Sequence, residues 1–76
     1  WLTPSEMDTS LEIVRKINQT GVTVLFIEHV MSAVTQLCKR VVVMEGGHFM
    51  TEGIPSEVMK KPEVIKAYLG EDYQDA

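Results

Sequence analysis

A chain of 76 residues has room for one small domain, and its 45% hydrophobic and 24% charged residues are typical of a globular protein. The net charge of −4 and the scattered positions of the seven basic residues exclude a positive stripe suited to a phosphate backbone, so nucleic-acid binding is disfavoured. The single cysteine, Cys38, excludes an internal disulfide, and no apolar run in the sequence is long enough to cross a bilayer.

The first predicted element is a helix that begins at Pro4. Thr3 and Glu6 match a T-x-x-E capping box, in which the two residues satisfy backbone N–H groups that have no helical partner. Gly21 is expected to end this helix, because glycine adopts the left-handed conformation at little cost. The apolar face of the helix consists of Met7, Leu11, Val14 and Ile17.

A strand, Val22–Ile27, is predicted next. Its residues are β-branched or aromatic and are apolar nearly throughout, which is typical of a strand covered on both faces in a parallel α/β sheet. A helix from Met31 to Lys39 and a strand from Val41 to Met44 complete a β–α–β unit. We expect this unit to cross over right-handed and to place its two strands in parallel.

A hairpin and two short helices are predicted in the rest of the chain. Gly46-Gly47 forms the turn of the hairpin, and residues 49–52 return as the second strand. Helices at 56–60 and 63–69 each follow a proline, and the acidic tail 71–76 is expected to fray. The predicted order is therefore α–β–α–β–β–α–α, an α/β arrangement that contains only part of a sheet.

His29 is the residue best placed for chemistry. Ligands of open α/β sheets bind outside the carboxyl ends of the strands, and His29 lies two residues beyond the predicted strand. A histidine there can donate a hydrogen bond to a phosphate oxygen. A surface or capping role is the alternative that position alone leaves open. Glu28 precedes His29 and, on a strand, would point to the opposite face, so the two need not act as a pair.

Other kinds of site have less support in the sequence. His48 is interpreted as a solvated turn residue, and Cys38 as a small packed apolar side chain. No zinc-ligand spacing and no nucleophile motif is present, so no metal site is predicted. Gly46-Gly47 is not a phosphate loop, because no Lys-Ser or Lys-Thr follows it and the next element is a strand.

Four segments, in order along the chain, resemble ATP-binding cassette (ABC) ATPases and look most like the branched-chain amino-acid importer subgroup. GVTVLFIEH at 21–29 resembles the strand that leads to the switch histidine, and RVVVMEGGHFMTEG at 40–53 resembles the hairpin of the family. Leu2-Thr3-Pro4 resembles the end of the D-loop and the cap of the following helix. PEVIKAYLG at 62–70 resembles the closing helix that marks the subgroup.

Two positions depart from the pattern of the family. Trp1 stands where the D-loop normally has a small residue. Ile54 stands where a threonine usually caps the helix that begins with a proline. Because isoleucine cannot accept the unpaired backbone N–H bonds, we expect that helix start to be weaker by ~1 kcal/mol.

The resemblance implies that residues 1–76 are the C-terminal portion of an ABC ATPase domain with a partial P-loop NTPase-like sheet. It implies that His29 is the switch histidine, which contacts the γ-phosphate of ATP, and that Leu2 and Thr3 lie at the interface between two cassettes. The intact subunit would use ATP and Mg²⁺, and its partners would be a second ATP-binding subunit and a transmembrane permease. It would lie in the cytoplasm, on the inner face of the cell membrane, and drive transport of a solute, for which the resemblance to the subgroup implies a branched-chain amino acid.

The chain by itself is expected to be inactive as an ATPase and to bind no cofactor. The family binds ATP with a Walker A loop, a signature motif and a Walker B motif, and none of them occurs in the 76 residues. The chain is also expected to self-associate through the exposed edge of Val22–Ile27. Two alternatives stay open: a stand-alone interaction or regulatory module without nucleotide chemistry, and an ordinary small α/β domain in which His29 only caps.

Overall fold

The computed structural model describes residues 2–70, so Trp1 and the tail 71–76, with its expected fraying, lie outside the described residues. Two longer helices come first, and two short ones follow a pair of strands. The elements are α1 Pro4–Gln19, α2 Met31–Leu37, β1 Val41–Glu45, β2 His48–Gly53, α3 Pro55–Val58 and α4 Pro62–Val64, and α4 continues as a π-helical turn, Ile65–Leu69. The chain divides into two compact units, Trp1–Leu37 and Cys38–Ala76.

The predicted capping box begins helix α1. The backbone N–H of Thr3 donates to Glu6 Oε1 at 2.8 Å, and the backbone N–H of Glu6 donates to Thr3 Oγ1 at 3.2 Å. After the last helical residue, Gln19, the chain turns at Gly21, whose φ of 98° is one that other residues avoid. The predicted start and end of this helix are therefore confirmed.

The first unit has a small apolar core. Leu11 of α1 and Ala33 and Val34 of α2 are buried, while Ile17, at the end of the predicted apolar face, is 46% exposed. The guanidinium of Arg15 in α1 also donates to the backbone carbonyl of residue 36 in α2 at 3.3 Å. A fully buried aliphatic side chain contributes roughly 1.5–3 kcal/mol, so a core of three residues stabilises this unit only modestly.

The strand predicted at Val22–Ile27 is wrong for this structure. Residues 22–28 have no regular secondary structure, and the hairpin is the only sheet found among residues 2–70. A strand needs a neighbour to pair its N–H and C=O groups, and no backbone hydrogen bond joins 23–27 to another described residue. The predicted parallel pair and its right-handed crossover are therefore absent from residues 2–70, although helices combined with a small sheet are present.

The hairpin of the second unit is confirmed. Strands β1 and β2 are antiparallel and are joined by Gly46 and Gly47. The φ angles of these glycines are 58° and 79°, and two consecutive positive values are those of a type I′ turn. Other residues adopt this geometry at a cost, which explains why a Gly-Gly pair between apolar runs predicted the turn correctly.

A β-bulge interrupts the pairing of the hairpin. Val43 lies opposite Thr51, but the next residue, Met44, lies opposite Phe49. Met50 is therefore the extra residue on strand β2, and a bulge of this kind bends the strand and increases its twist. The sequence contained no signal that predicted the bulge.

The short helices of the second unit depend on packing. Val58 and Val64 are fully buried, and Val43 and Met59 are nearly so. Helices of three or four residues are not stable alone, because nucleation fixes several dihedral angles for one hydrogen bond. Burial of Val58 and Val64, one in each short helix, therefore holds α3 and α4 in place.

Two side-chain hydrogen bonds also connect elements of this unit. The Lys61 ammonium donates to the hydroxyl of Thr51, a buried polar residue of β2. The hydroxyl of Tyr68, in the π-helical turn, donates to the backbone carbonyl of Met44 in β1. Both bonds tie the C-terminal helices to the hairpin.

Candidate functional site

His29 lies in the turn that connects the irregular segment 22–28 to helix α2. Its side chain is 65% exposed, so the ring is not buried in apolar packing. The ring nitrogen Nε2 is 3.9 Å from Glu28 Oε1, which is beyond hydrogen-bond distance. The imidazole is therefore accessible to a ligand and able to donate a hydrogen bond to it.

The carboxylate of Glu28 holds the backbone of this turn. Its Oε1 accepts the backbone N–H of His29 at 2.8 Å and the backbone N–H of Val30 at 3.3 Å. These two hydrogen bonds, first that from His29 and then that from Val30, lower the pKa of Glu28 below that of an ordinary glutamate. A smaller contribution of the same sign comes from the charge of the nearby imidazole.

The same turn begins helix α2. The carbonyl of Val30 accepts the N–H groups of Ala33 at 3.1 Å and Val34 at 3.2 Å, so Val30 is the residue that caps the helix. Valine has no side-chain oxygen to offer, and the carboxylate of Glu28 is the side chain that binds backbone N–H groups here. Because Ala33 and Val34 are buried, the turn that carries His29 is attached to a packed helix face.

The expectation that Glu28 points away from His29 is wrong. It assumed a strand, in which successive side chains lie on opposite faces, and the segment before His29 is not one. A local signal was present in the sequence: an acidic residue two positions before Val30, the cap position of a helix, whose own side chain has no oxygen. Glu28 is the residue near the site that reasoning from the strand missed.

Leu2 and Thr3 lie at the start of helix α1. Leu2 is exposed, and the Thr3 side chain and backbone are engaged with Glu6 in the capping box, with Ser5 Oγ 3.3 Å from Thr3 Oγ1. No hydrogen bond among residues 2–70 joins these residues to His29. The structure thus leaves Leu2 available for a contact and assigns Thr3 a clear role in the helix cap.

The remaining titratable candidates do not form a cluster. His48 begins strand β2 and is exposed, and Cys38 is a free, partly buried thiol whose pKa is raised by burial. Among residues 2–70, no group of three or more His, Cys, Asp or Glu side chains is arranged to hold a metal ion. Over the same residues, no helix combines the length and apolar character needed to span a lipid bilayer.

The chain is similar to known proteins that are all described as ATP-binding proteins of transport systems. The chain is 39% identical over 71 residues, 92% of its length, to the high-affinity branched-chain amino acid transport ATP-binding protein BraF of Pseudomonas aeruginosa. It is 36% identical over 73 residues to the methionine import ATP-binding protein MetN of Latilactobacillus sakei, again over 92% of the chain. It is 29% identical over 62 residues, 82% of the chain, to the lipopolysaccharide export system ATP-binding protein LptB of Escherichia coli.

The similarity covers most of this chain but a minor part of each relative. The matched region is 28% of the length of BraF, 21% of MetN and 26% of LptB. No family model matches the chain. The cargoes named for the three relatives differ, while the description "ATP-binding protein" is common to them.

Proposed function

Since this chain is a relative of the ATP-binding subunits of ABC transporters, we propose that it is the C-terminal portion of such a subunit, which couples ATP hydrolysis to solute transport. The observation that carries the proposal is similarity over 92% of the chain to one transport protein and one import protein that are both described as ATP-binding. The stand-alone interaction module finds no comparable support, because the relatives share a nucleotide function rather than a binding partner.

His29 is the residue to which we assign a part in the chemistry. Its exposed imidazole can donate a hydrogen bond to a terminal phosphate oxygen, where negative charge develops as the phosphoryl group is transferred. Phosphoryl transfer depends on positioning and on charge stabilisation, so one well-placed donor has a large effect. Bound ATP and Mg²⁺ would supply the phosphoryl group and the cation that neutralises its charge.

The residues present fit one contact to the nucleotide rather than a complete binding site. An exposed imidazole can meet a phosphate, but the 76 residues contain no G-x-x-x-x-G-K-[ST] loop whose backbone N–H groups and lysine could surround the phosphates. The chain alone is therefore proposed to bind nucleotide weakly and to hydrolyse none.

The partners and location follow from the same relationship. We assign Leu2 and Thr3 to the interface with a second ATP-binding subunit, and we propose a transmembrane permease as the other partner. The assembly would lie in the cytoplasm, against the inner face of the cell membrane. A branched-chain amino acid is the proposed cargo, because BraF carries that description and is 39% identical to the chain, against 36% for the methionine import protein MetN.

The role of His29 is tested by His29→Ala in the intact subunit, with ATP turnover and ATP affinity measured separately. We expect turnover to fall by about 10²-fold, because a donor to the transition state is lost, while ATP binding changes little. His48→Ala is the matched control, since His48 is exposed on strand β2 and has no proposed part in the chemistry. Turnover unchanged by His29→Ala would remove His29 from the mechanism.

A further inference from the structure

We propose that Glu28 is the positioning residue for His29: its carboxylate fixes the backbone from which the imidazole projects. This inference rests on the role proposed above for His29. Glu28 itself contacts no proposed substrate atom and acts only through the turn.

Glu28 is hydrogen-bonded to the backbone of His29 and not to its ring. One carboxylate oxygen accepts two successive N–H groups, those of His29 and Val30, at 2.8 and 3.3 Å. Hydrogen bonds to an ionised acceptor are roughly twice as strong as neutral ones, so this pair restrains the two residues firmly. The same oxygen is 3.9 Å from His29 Nε2, too far for a hydrogen bond, so the restraint acts through the backbone rather than through the ring.

The ring has no comparable restraint of its own. Among the described residues, no side-chain hydrogen bond is made by the His29 imidazole, which is 65% exposed, whereas the Glu28 side chain is only 26% exposed. The position of the ring therefore depends on the backbone that carries it. Water could replace the carboxylate as an acceptor, but a mobile water would not hold both N–H groups in one geometry.

Position 28 requires a side chain that is long enough to bring an acceptor oxygen to these two N–H groups. The amide oxygen of glutamine can reach the same two N–H groups, whereas alanine offers no acceptor. Glu28→Gln should therefore still position His29, and Glu28→Ala should not. If the negative charge of Glu28 itself acted on the imidazole or on the nucleotide, both variants would lower kcat equally.

The kinetic experiment uses the intact subunit with Glu28→Ala, Glu28→Gln and His29→Ala. We expect Glu28→Ala to lower kcat by at least about tenfold, because a small displacement of a catalytic group is costly, with KM for ATP nearly unchanged. Glu28→Gln should remain within about threefold of the parent, since it keeps the two hydrogen bonds. Glu57→Ala is the control, because Glu57 is an exposed glutamate in the first turn of α3.

A second readout is independent of turnover. In the 76-residue chain, the backbone amide protons of His29 and Val30 should shift together in NMR spectra as Glu28 is protonated, and Glu28→Ala should abolish that shift. Amide resonances that do not respond to the ionisation of Glu28 would overturn the inference, as would a Glu28→Ala subunit with the parent kcat.

The two proposals fail in different ways. If His29→Ala lowers kcat and Glu28→Ala does not, only the positioning role is lost. If His29→Ala leaves kcat unchanged, the function proposed for His29 is wrong and the positioning role falls with it. Equal losses in Glu28→Ala and Glu28→Gln would also overturn positioning through the backbone.

Discussion

Glu6 and Glu28 each accept backbone N–H groups at the beginning of a helix. The pKa of Glu6 is lowered first by the backbone N–H of Thr3 and then by its hydroxyl, and that of Glu28 first by the N–H of His29 and then by that of Val30. In both cases the folded chain favours the ionised carboxylate over the protonated one. Glu6 is exposed and Glu28 is partly exposed, so solvent screens the effect and each contribution to stability is small.

Because the pKa values of Glu6 and Glu28 are lower in the folded chain than in the unfolded chain, the starts of helices α1 and α2 are sensitive to acid. A carboxylate with a lowered folded-state pKa contributes stability that is fully present above the ordinary glutamate pKa of ~4.3 and is lost as the pH falls through the folded value. We therefore expect the first turns of α1 and α2 to loosen below about pH 4, as measured by amide hydrogen exchange of residues 3–7 and 29–34.

The matched control for the acid response is a pair of variants. Glu6→Gln and Glu28→Gln keep an acceptor oxygen but remove the ionisation, so each should abolish the pH dependence at its own helix and leave the other unchanged. Protection that stays constant from pH 7 to pH 3 in the parent chain would contradict the assignment.

Local residue patterns predicted one of these two caps. Thr3 and Glu6 were identified because the capping box depends only on residues three apart, whose geometry is set by the helix itself. Glu28 was assigned the wrong direction because its orientation depended on a strand that is not formed. The exposure of His29 agrees with its predicted position beyond an apolar run, and its chemical role stays a prediction.

Helix α3 begins without a side-chain cap. Ile54 has the extended backbone of a cap residue, with φ of −73° and ψ of 148°, but it makes no side-chain hydrogen bond to the helix. The family pattern has threonine here, and the favourable start signals are Pro55 at the next position and Glu57 in the first turn. Burial of Val58, rather than capping, therefore maintains this helix.

A better cap should stabilise the second unit. Ile54→Thr provides a side-chain oxygen that can accept a backbone N–H of the first turn, such as that of Ser56, and we expect the free energy of unfolding to rise by about 0.5–1 kcal/mol, measured by urea denaturation. Ile54→Val is the matched control, since valine has the shape of threonine without the hydroxyl. A Thr variant no more stable than the Val variant would mean that the cap position is not limiting.

The hairpin and the segment 22–28 differ in what each needs in order to form. A hairpin contains both of its strands and a turn within a few residues, so Gly46-Gly47 between apolar runs was sufficient to predict it. A buried strand needs partners from elsewhere, and apolar composition cannot supply them. The predicted strand therefore required neighbouring strands, and residues 2–70 contain none that pairs with it.

At the scale of the whole molecule, an apolar segment remains uncovered. Leu25 and Ile27 are each 87% exposed, and Val22 is 50% exposed. The self-association predicted from a strand edge is therefore expected instead from the segment 22–27, in which Leu25 and Ile27 are exposed and the backbone of 23–27 makes no hydrogen bond to another described residue. A second copy of the chain can supply partners for both the side chains and the backbone by pairing along this segment.

We expect the 76-residue chain to sediment as a mixture whose average mass rises with concentration. The double variant Leu25→Thr/Ile27→Thr removes exposed apolar area and should shift the chain towards monomer. Phe49→Thr is the control, because Phe49 is 61% exposed in the hairpin and lies outside the segment. A parent chain that remains a monomer at every concentration would rule out association through 22–27.

Among residues 2–70, the segment 22–28 is also open to digestion. A protease binds its substrate as an unpaired stretch of backbone, and residues 23–27 offer backbone groups with no competing hydrogen bond from the described chain. Leu25, which is 87% exposed, and its neighbour Phe26 are side chains that chymotrypsin-like enzymes accept, so we expect cleavage at the peptide bonds after them within residues 2–70. Such a cut would sever α1 from His29 and α2 while leaving the hairpin and short helices intact.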